Sequence, residues 1–512
     1  MTLRHGYFYD QGYTYGAYSE SSPERLAFVA LLSSHRPPRL DAPFRCLELG
    51  CGQGLGLCLQ AANYPQADFL GIDFKAEHIA HGRSLAAEGG LENVRFELAD
   101  LLAIEASPPS GWGEFDLVIA HGVLGWVSPE VGARVLSSAA AALRPGGLFY
   151  VSYNCQPGWL AALPFQHAVK GFQGRCGDGK PSLDAALQLF DQLREAGALV
   201  FQSQPALAGR LDNLSGNDPA YLLHEYNHSQ WKPQFVDDVI RQAADVDLHY
   251  VGSASLPEGF QGLLPEPFRA VVMQQNDHDQ RELVRDLLTN QSFRRDIYAK
   301  GRDPLWSQDV SESIQNLQLI FLRDTHPGDP EDLFTFRLSC GEVRGNDQWF
   351  HTFLDLVKQG PCTIGSLLQH RDAVGATTPL PELLQNISLL VHKGLVAFAP
   401  PGRDPHPAQR FNRHLAARVL GGGPYRAIAL PAAGNIMSLN DTQMLMLHAS
   451  FEGRSGDALL DVLQDGLERL GRRLQKDGRQ LEGEAFRAEL VELSQQFESE
   501  TLPLLRRLQA IG

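Results

Sequence analysis

The sequence lacks the features expected of a membrane protein or of a protein folded in an oxidising compartment. No apolar run approaches the length of a membrane span, and the N-terminus has no continuous apolar stretch like that of a signal peptide. The seven cysteines are odd in number and widely spread, which is typical of a reducing compartment. Those within the first sixty residues share no metal-ligand spacing. We therefore expect a cytoplasmic protein without a metal site.

Positive charge is also scarce. Lysine and arginine total 44 against 60 acidic residues, so the net charge is −16 and the pI is near 5.5. A nucleic-acid substrate requires a basic stripe, and this balance disfavours one. An acidic enzyme instead tolerates a basic partner such as a lysine-bearing polypeptide. With 43% apolar and 20% charged residues, the 512-residue chain is expected to be globular, with about two to four domains.

A glycine-rich turn within residues 45–56 is the most informative segment. A short apolar strand carries Glu48 near its end, and the chain then turns through Gly50, Gly52 and Gly54 into a helix. Glycines allow close backbone approach to a ligand and present amide N–H groups at a helix N-terminus. The dinucleotide fingerprint Gly-x-Gly-x-x-Gly is excluded, because its sixth position is leucine in either register.

Four further apolar runs, each ending in or next to a polar residue, predict strands. A carboxylate at the end of the second strand can accept the hydroxyls of a ribose. The fifth strand is expected to follow a Leu-Arg-Pro-Gly-Gly turn at residues 143–147. Strands separated by helical stretches predict an α/β fold with a parallel, doubly wound sheet. The four runs lie at residues 67–73, 93–100, 115–121 and 148–152.

The sequence resembles class I S-adenosylmethionine-dependent methyltransferases in three features that occur in order. These are the pattern Glu-x-Gly-x-Gly-x-Gly, the two spaced carboxylates and the Pro-Gly-Gly sequence before the fifth strand. The resemblance implies a Rossmann-like sheet and S-adenosylmethionine as cofactor, with S-adenosylhomocysteine as product. It places the methionine portion on the glycine turn, the ribose on Asp73, the adenine on Asp100 and Leu101, and the sulfonium near His121. The implied cofactor-binding residues are Glu48, Gly50, Cys51, Gly52, Asp73, Phe74, Asp100, Leu101 and His121.

The first 40 residues are rich in tyrosine. Such amphipathic side chains pack onto other parts of a protein, so this segment is expected to be either a flap over the donor pocket or an arm packed on the surface. A helix is expected from Pro23, with Ser22 as its cap. Five of the chain's thirteen tyrosines lie here, at Tyr7, Tyr9, Tyr13, Tyr15 and Tyr18.

Residues 152–159, which read Ser-Tyr-Asn-Cys-Gln-Pro-Gly-Trp, resemble methyltransferases that carry a regulatory domain, among them bacterial protein-lysine methyltransferases acting on outer-membrane proteins. Segments at 221–252 and 286–295 agree with that resemblance. Tyr153 and Asn154 follow the fifth predicted strand and are expected to orient an acceptor amine, with Glu225 as a possible assistant. These three are the predicted catalytic residues.

His224 to His228 reads His-Glu-x-x-His, the pattern of zinc proteases. That motif needs a regular helix and a third ligand downstream. Prolines at 219 and 233 leave room for at most about three turns, so a role near the acceptor channel or as a lid staple is favoured over zinc binding.

The distal third predicts helices at 347–359, 363–370 and 381–394 and a strand at 395–398, an order that resembles a winged helix. Leucines at three- and four-residue spacing from Leu460 to Leu474 predict a helix that packs on another helix, within this chain or across an oligomer. The predicted parts are an aromatic flap and helix (1–40), a cofactor-binding core (41–160), a regulatory or lid region (161–325), a winged-helix-like domain (326–405) and a C-terminal helical domain (406–512).

Three functions are compatible with the sequence. The first is methyl transfer to lysine side chains of a protein, the second is a small-molecule O- or N-methyltransferase, and the third is a non-catalytic regulator that binds the donor. A protein substrate requires an open groove at the acceptor entrance, whereas a small molecule suits a closed pocket. The acceptor, the number of methyl groups and the oligomeric state remain open.

Overall fold

The structure is a computed structural model of the 512-residue chain. Among the described residues, no helix is long and apolar enough to cross a lipid bilayer. The structure describes residues 14–104, 112–173, 175–176, 179–214, 219–226 (219–221 and 224 as backbone only), 231–323, 333–369, 378–400, 402–476 and 479–512, together with two short paired strands, β1 (Leu3–Arg4) and β2 (Tyr7–Phe8).

A seven-stranded sheet organises the N-terminal half of the chain. Its order is β5-β4-β3-β6-β7-β9-β8, and the first five strands in that order run parallel, which confirms the predicted parallel sheet. Strand β9 is antiparallel to both of its neighbours and extends the sheet beyond the five predicted strands. The strands are β3 (Arg45–Leu49), β4 (Asp68–Asp73), β5 (Val94–Leu98), β6 (Phe115–Ala120), β7 (Leu143–Asn154), β8 (Leu248–Ser253) and β9 (Phe293–Lys300).

Helices cover both faces of this sheet. Alternate residues of β3 point to opposite sides, so Cys46 belongs to one buried apolar cluster while Leu47 and Leu49 belong to another. The sheet is therefore doubly wound. The helices interleaved with its first five strands are α1 (Pro23–Leu32), α2 (Leu55–Asn63), α3 (Ala76–Glu88) and α4 (Pro129–Ala142).

One local expectation was wrong. Strand β7 already begins at Leu143, so the predicted turn at 143–147 is part of the strand, and its register against β6 shifts between Phe115 and Leu117. This irregularity absorbs the Pro-Gly-Gly sequence within a paired strand. The predicted start of α1 is confirmed: Ser22 is its N-cap residue and Pro23 its first helical residue, although the Ser22 side chain makes no capping hydrogen bond.

The segment between β7 and β9 has an aromatic core of its own, and its role as a regulatory or lid region stays a prediction. Trp159, Phe165, Phe190, Tyr226 and Trp231 are buried in a cluster separate from those of the sheet. The region's α-helices are α5 (Leu163–Phe172), α6 (Lys180–Glu195), α7 (Leu199–Ser203), α8 (Pro205–Asp212), α9 (Pro219–Tyr226), α10 (Val236–Ala244), α11 (Glu266–Met273) and α12 (His278–Thr289).

The middle region contains the three predicted helices and the predicted strand. A strand before residue 326, β10, lies between β13 and β14 and is antiparallel to both. The winged-helix resemblance stays a prediction. The elements are α13 (Ser307–Asn316), β10 (Gln318–Phe321), β11 (Thr335–Leu338), β12 (Gly341–Arg344), α14 (Asp347–Lys358), β13 (Cys362–Thr363), α15 (Ile364–Gln369), α16 (Leu380–His392) and β14 (Val396–Ala399).

The C-terminal region packs on the first half of the chain. Leu463 and Leu467 of the predicted leucine stripe are buried within this chain, and a single apolar cluster runs from α1 and α2 into this region. The elements are α17 (His406–Leu420), β15 (Ala427–Leu430), β16 (Asn435–Ser438), α18 (Asp441–Phe451), α19 (Asp457–Arg469), β17 (Gln475–Lys476), β18 (Arg479–Gln480), α20 (Gly483–Gln496), a π-helical segment (Phe497–Thr501) and α21 (Leu502–Arg507).

Candidate active site

The glycine turn between β3 and α2 forms the floor of a cleft at the carboxyl edge of the sheet. Gly50 and Gly54 have φ angles of +73° and +77°, which favour glycine. A Cβ atom would lie 2.8 Å from Cγ2 of Val123 at the first position and 2.7 Å from the Phe96 ring at the second. Both positions therefore require glycine, because the backbone conformation favours it and because no room is left for a Cβ atom.

The amides of this turn bond within the protein, which corrects the expectation that they are presented to a ligand. The N–H groups of Gly50 and Cys51 donate to the Ile72 carbonyl oxygen at 2.8 and 3.0 Å. The Gly52 amide donates to Oδ2 of Asp73 at 3.0 Å. These bonds tie the turn to the end of β4, so the turn contributes close backbone approach rather than free donors.

Asp73 is the buried anchor of the cleft, with 6% of its surface exposed. Oδ1 accepts the Lys75 amide at 2.8 Å and lies 3.3 Å from Nδ1 of His78, while Oδ2 accepts only the Gly52 amide among the described residues. A carboxylate offers about four acceptor positions. One position on Oδ2 therefore remains for a ligand hydroxyl, which fits the predicted ribose contact.

His78 was missed by the sequence analysis. It is 3% exposed and lines the cleft beside Asp73. Its Nδ1 lies 3.3 Å from Oδ1 of Asp73, whereas Nε2 has no partner among the described residues. A buried polar atom without a partner is costly, so Nε2 fits a site completed by a ligand. Its position in the first turn of α3, five residues after Asp73, was the only available signal.

The opposite side of the cleft combines the end of β5 with an apolar wall. Asp100 accepts the Leu102 amide through Oδ1 at 3.1 Å, and Phe74 and Leu101 line the same space. The cleft has a volume of about 800 Å³. Its polar groups lie at strand ends and its wall is apolar, an arrangement that suits a flat heterocycle with a sugar. Its further apolar lining includes Ile72, Val123, Trp126, Val127 and Val131.

His121 follows β6 and lies between two tyrosine rings. Tyr18 stacks on it with ring centroids 3.4 Å apart, and Tyr150 lies 5.9 Å away on a nearly parallel plane. Nδ1 of His121 is 3.0 Å from the Tyr150 hydroxyl. Burial lowers the pKa of His121 to about 3, so the ring is neutral. Tyr18 thus covers the cleft as the flap hypothesis expects, whereas the side chains of Tyr7, Tyr9 and Tyr13 lie outside the described residues.

Glu48 lines a smaller pocket that shares Gly50, Gly52 and His121 with the cleft. Burial, and then the negative charge of Asp73, raise the pKa of Glu48 to about 8. The carboxyl group is therefore largely protonated at neutral pH in the absence of a ligand. A cationic ligand would favour its ionised form.

Tyr153, predicted to orient an acceptor, is not among the residues that line the cleft. It is 1% exposed, and its hydroxyl donates to Oδ2 of Asp296 at 2.5 Å in a buried network centred on Arg294. The preceding residue, Ser152, accepts the amide of Gly122, which lines the cleft, at 2.8 Å. The Tyr153 hydroxyl is thus occupied within the protein, and its predicted role toward an acceptor stays a prediction.

The structure brings Asn154 and Glu225 together, but they bond to each other. Nδ2 of Asn154 donates to Oε1 of Glu225 at 2.5 Å, and Nε1 of Trp231 lies 3.4 Å from the same oxygen. Glu225 is 1% exposed. This contact joins the end of β7 to α9 and supports the lid-staple alternative. The His224 side chain and residue His228 of the zinc pattern lie outside the described residues.

The comparisons with known proteins agree with this geometry. A family model described as a methyltransferase domain matches residues 40–192, and one described as a predicted methyltransferase regulatory domain matches residues 218–300. The protein sll1526 of Synechocystis is 30% identical over 519 aligned residues, with 99% of each chain covered.

The chain belongs to the class I S-adenosylmethionine-dependent methyltransferases. It carries the regulatory domain in addition. A structure of PKMT2 from Rickettsia typhi in complex with AdoHcy covers 96% of this chain and 99% of its own, with a TM-score of 0.71 and 20% identity, which shows the shared fold. A trans-aconitate 2-methyltransferase of Methylobacterium nodulans is 35% identical over 134 residues, 26% of this chain and 46% of that protein.

The cofactor of this methyltransferase is S-adenosylmethionine. The cleft residues fit it: the ribose and adenine positions adjoin Asp73 and Asp100, His78 offers an unpartnered nitrogen, and the neutral His121 does not repel a sulfonium. Which cleft residue holds each part of the cofactor stays a prediction.

A second opening, which we call the interdomain groove, adjoins the cleft. Tyr18 and Ser21 line a smaller pocket, which shares Gly50, Gly52 and His121 with the cleft. Ser19 and Glu20 line the groove, and Ile436 lines both the groove and the smaller pocket. The groove lies between the sheet domain, the middle region and the C-terminal region. Its charged lining residues are Glu20, Arg25, Arg295, Arg323, Lys393 and Glu500.

Proposed function

We propose that this enzyme transfers methyl groups from S-adenosylmethionine to lysine side chains of a protein. The observation that carries the proposal is the interdomain groove, which has walls from three regions of the chain and shares Ile436 with the pocket lined by Tyr18, Gly50 and His121 that adjoins the donor cleft. A polypeptide needs an open approach, whereas a small acceptor is served by a closed pocket. The fold shared with PKMT2, a protein-lysine methyltransferase, supports the same acceptor.

For methyl transfer, the main task of the protein is to position the methyl donor and the acceptor amine. When bound, S-adenosylmethionine supplies an electrophilic methyl group on a cationic sulfonium, and the acceptor amine must approach in line with the carbon–sulfur bond. Neutral His121 leaves that position free of a competing positive charge. The ring of Tyr18 is stacked on His121. Burial of the amine beside these rings lowers the amine pKa and favours the neutral nucleophile.

A small-molecule acceptor is the second candidate. Part of this chain is similar to trans-aconitate 2-methyltransferases, as the match to the Methylobacterium nodulans enzyme shows. That similarity covers 26% of this chain, whereas the groove has walls from three regions. We therefore rank this candidate below a protein acceptor.

Labelled methyl transfer separates the two candidates. The whole chain is incubated with methyl-tritiated S-adenosylmethionine and a nuclease-treated cell lysate, and macromolecules are separated from small molecules. The proposal predicts label in the protein fraction that acid hydrolysis releases as methyl-lysine. A parallel reaction with Asp73→Asn controls for the lysate's own enzymes. Label confined to the small-molecule fraction would contradict the lysine acceptor.

A further inference from the structure

Arg25 is a buried cation without a partner. It lies on α1, is 8% exposed, and lines the interdomain groove. Its guanidinium makes no hydrogen bond and no ion pair with any residue in the described part of the chain. Burial lowers the pKa of Arg25, and the longer-range attraction of Glu20 only partly offsets this effect. A buried charge of this kind costs stability unless something else pairs with it.

A second guanidinium lies at the same end of the groove. Nη2 of Arg295 is 3.3 Å from Oε1 of Glu20, and Nη1 donates to Oγ of Ser255 at 3.2 Å. Nε of Arg295 is buried without a partner among the described residues. Arg295 follows Phe293 on β9, and the Phe293 ring lies 6.3 Å from that of His121. This end of the groove is therefore close to the donor cleft.

The groups at this end of the groove carry an excess of positive charge. Burial opposes ionisation of Glu20, but Arg295 and then Arg25 outweigh it and hold the pKa of Glu20 below its usual value. One carboxylate thus faces two guanidinium groups. The farther walls add Arg323 and Lys393 against Glu500. A groove with surplus cations in a chain of net charge −16 suits an anionic group on the ligand.

We propose that Arg25 and Arg295 form a carboxylate-binding subsite that receives an acidic side chain of the acceptor polypeptide, near the lysine to be methylated. This inference rests on the proposed function and adds a sequence preference to it. Guanidinium groups bind carboxylates through paired, charge-assisted hydrogen bonds. Glu20 is two residues from Tyr18, which stacks on His121, so a carboxylate held here places its neighbouring residues beside the donor cleft.

Peptide binding tests the subsite independently of methyl transfer. Two fluorescein-labelled peptides are compared, one with a central lysine flanked by glutamates and one with glutamines in their place. Binding to the whole chain, saturated with S-adenosylhomocysteine, is followed by anisotropy. We expect the glutamate peptide to bind at least about tenfold more tightly, and this preference to fall below about threefold in Arg25→Gln.

The melting temperature of Arg25→Gln and two further variants separate a binding role of Arg25 from a structural one. Arg25→Gln removes an unpaired buried charge, so its melting temperature is expected to equal or exceed that of the wild type. Arg25→Lys keeps the charge without the paired geometry and is expected to retain part of the preference. Arg413→Gln removes the same charge from an exposed ion pair with Glu452 in the C-terminal region and should leave the preference unchanged.

The outcomes distinguish this inference from the proposed function. Equal binding of the two peptides, or a preference that survives Arg25→Gln, overturns the subsite even if the lysine is methylated. A preference that depends on Arg25, with no methyl transfer to the peptide lysine, supports the subsite and contradicts the lysine acceptor. Arg25-dependent binding of glutarate without binding of either peptide assigns the subsite to a small carboxylate and overturns the acidic polypeptide.

Discussion

Replacing Asp73 with asparagine should weaken cofactor binding about 10- to 100-fold. The wild-type carboxylate accepts the Gly52 and Lys75 amides at 3.0 and 2.8 Å and keeps one position on Oδ2 for a ribose hydroxyl. Asparagine has one acceptor oxygen, so it cannot hold both amides and the hydroxyl. A hydrogen bond to a charged group contributes about 1.5–3 kcal/mol, which corresponds to that range of dissociation constants.

Isothermal titration with S-adenosylhomocysteine measures the effect. The matched control is Asp68→Asn, which changes an exposed carboxylate at the other end of β4 and should leave the dissociation constant within about twofold. Circular dichroism and melting curves establish that both variants fold. An unchanged dissociation constant in folded Asp73→Asn would refute the assignment of the ribose to this carboxylate.

Three further predictions concern groups around the cleft. The pKa of ligand-free Glu48 is about 8, and a cationic ligand favours its ionised form. The affinity for S-adenosylmethionine should therefore rise by up to about tenfold per pH unit from pH 6 to 8 and then level off. Titrations in two buffers should show proton release in the wild type and none in Glu48→Gln; release by the variant would contradict this assignment. His78→Phe should weaken S-adenosylhomocysteine binding at least about fivefold, because Nε2 has no partner among the described residues and is available to the ligand; unchanged affinity in a folded variant would exclude a ligand contact. Tyr153→Phe should destabilise the protein by about 1–3 kcal/mol in denaturant unfolding, because Asp296 loses a buried donor, and leave the Michaelis constant for the donor unchanged; the reverse pattern would return Tyr153 to the active site.

The sheet could be predicted from the sequence because its signals are local. Each apolar run ends at a polar residue, and parallel strands bring those ends to one edge. Asp73, Asp100 and His121 therefore line one cleft, as the sequence predicted. The addition of β9 and β8 to the sheet could not be predicted, because β9 is about 140 residues beyond its partner β7 and nothing local marks their pairing.

At the active site, the direction in which each side chain points could not be predicted from the sequence. Tyr153 and Asn154 are adjacent in sequence, but strand alternation sends them to opposite faces, and only the Arg294 network shows which face is filled. The turn amides were assigned to a ligand because their acceptor, Ile72, lies on a different strand. No sequence motif includes Arg25 or His78. Their importance follows from burial without a partner, a property that exists only after folding.

The central claim is that the cleft bounded by Gly50, Asp73, Asp100 and His121 holds the methyl donor. A crystal structure of the whole chain with S-adenosylhomocysteine tests it most directly. We predict the ribose hydroxyls on Asp73, the adenine beside Asp100 and Leu101, and the sulfur near His121. An empty cleft at saturating ligand, or the nucleoside bound elsewhere on the chain, would contradict the account.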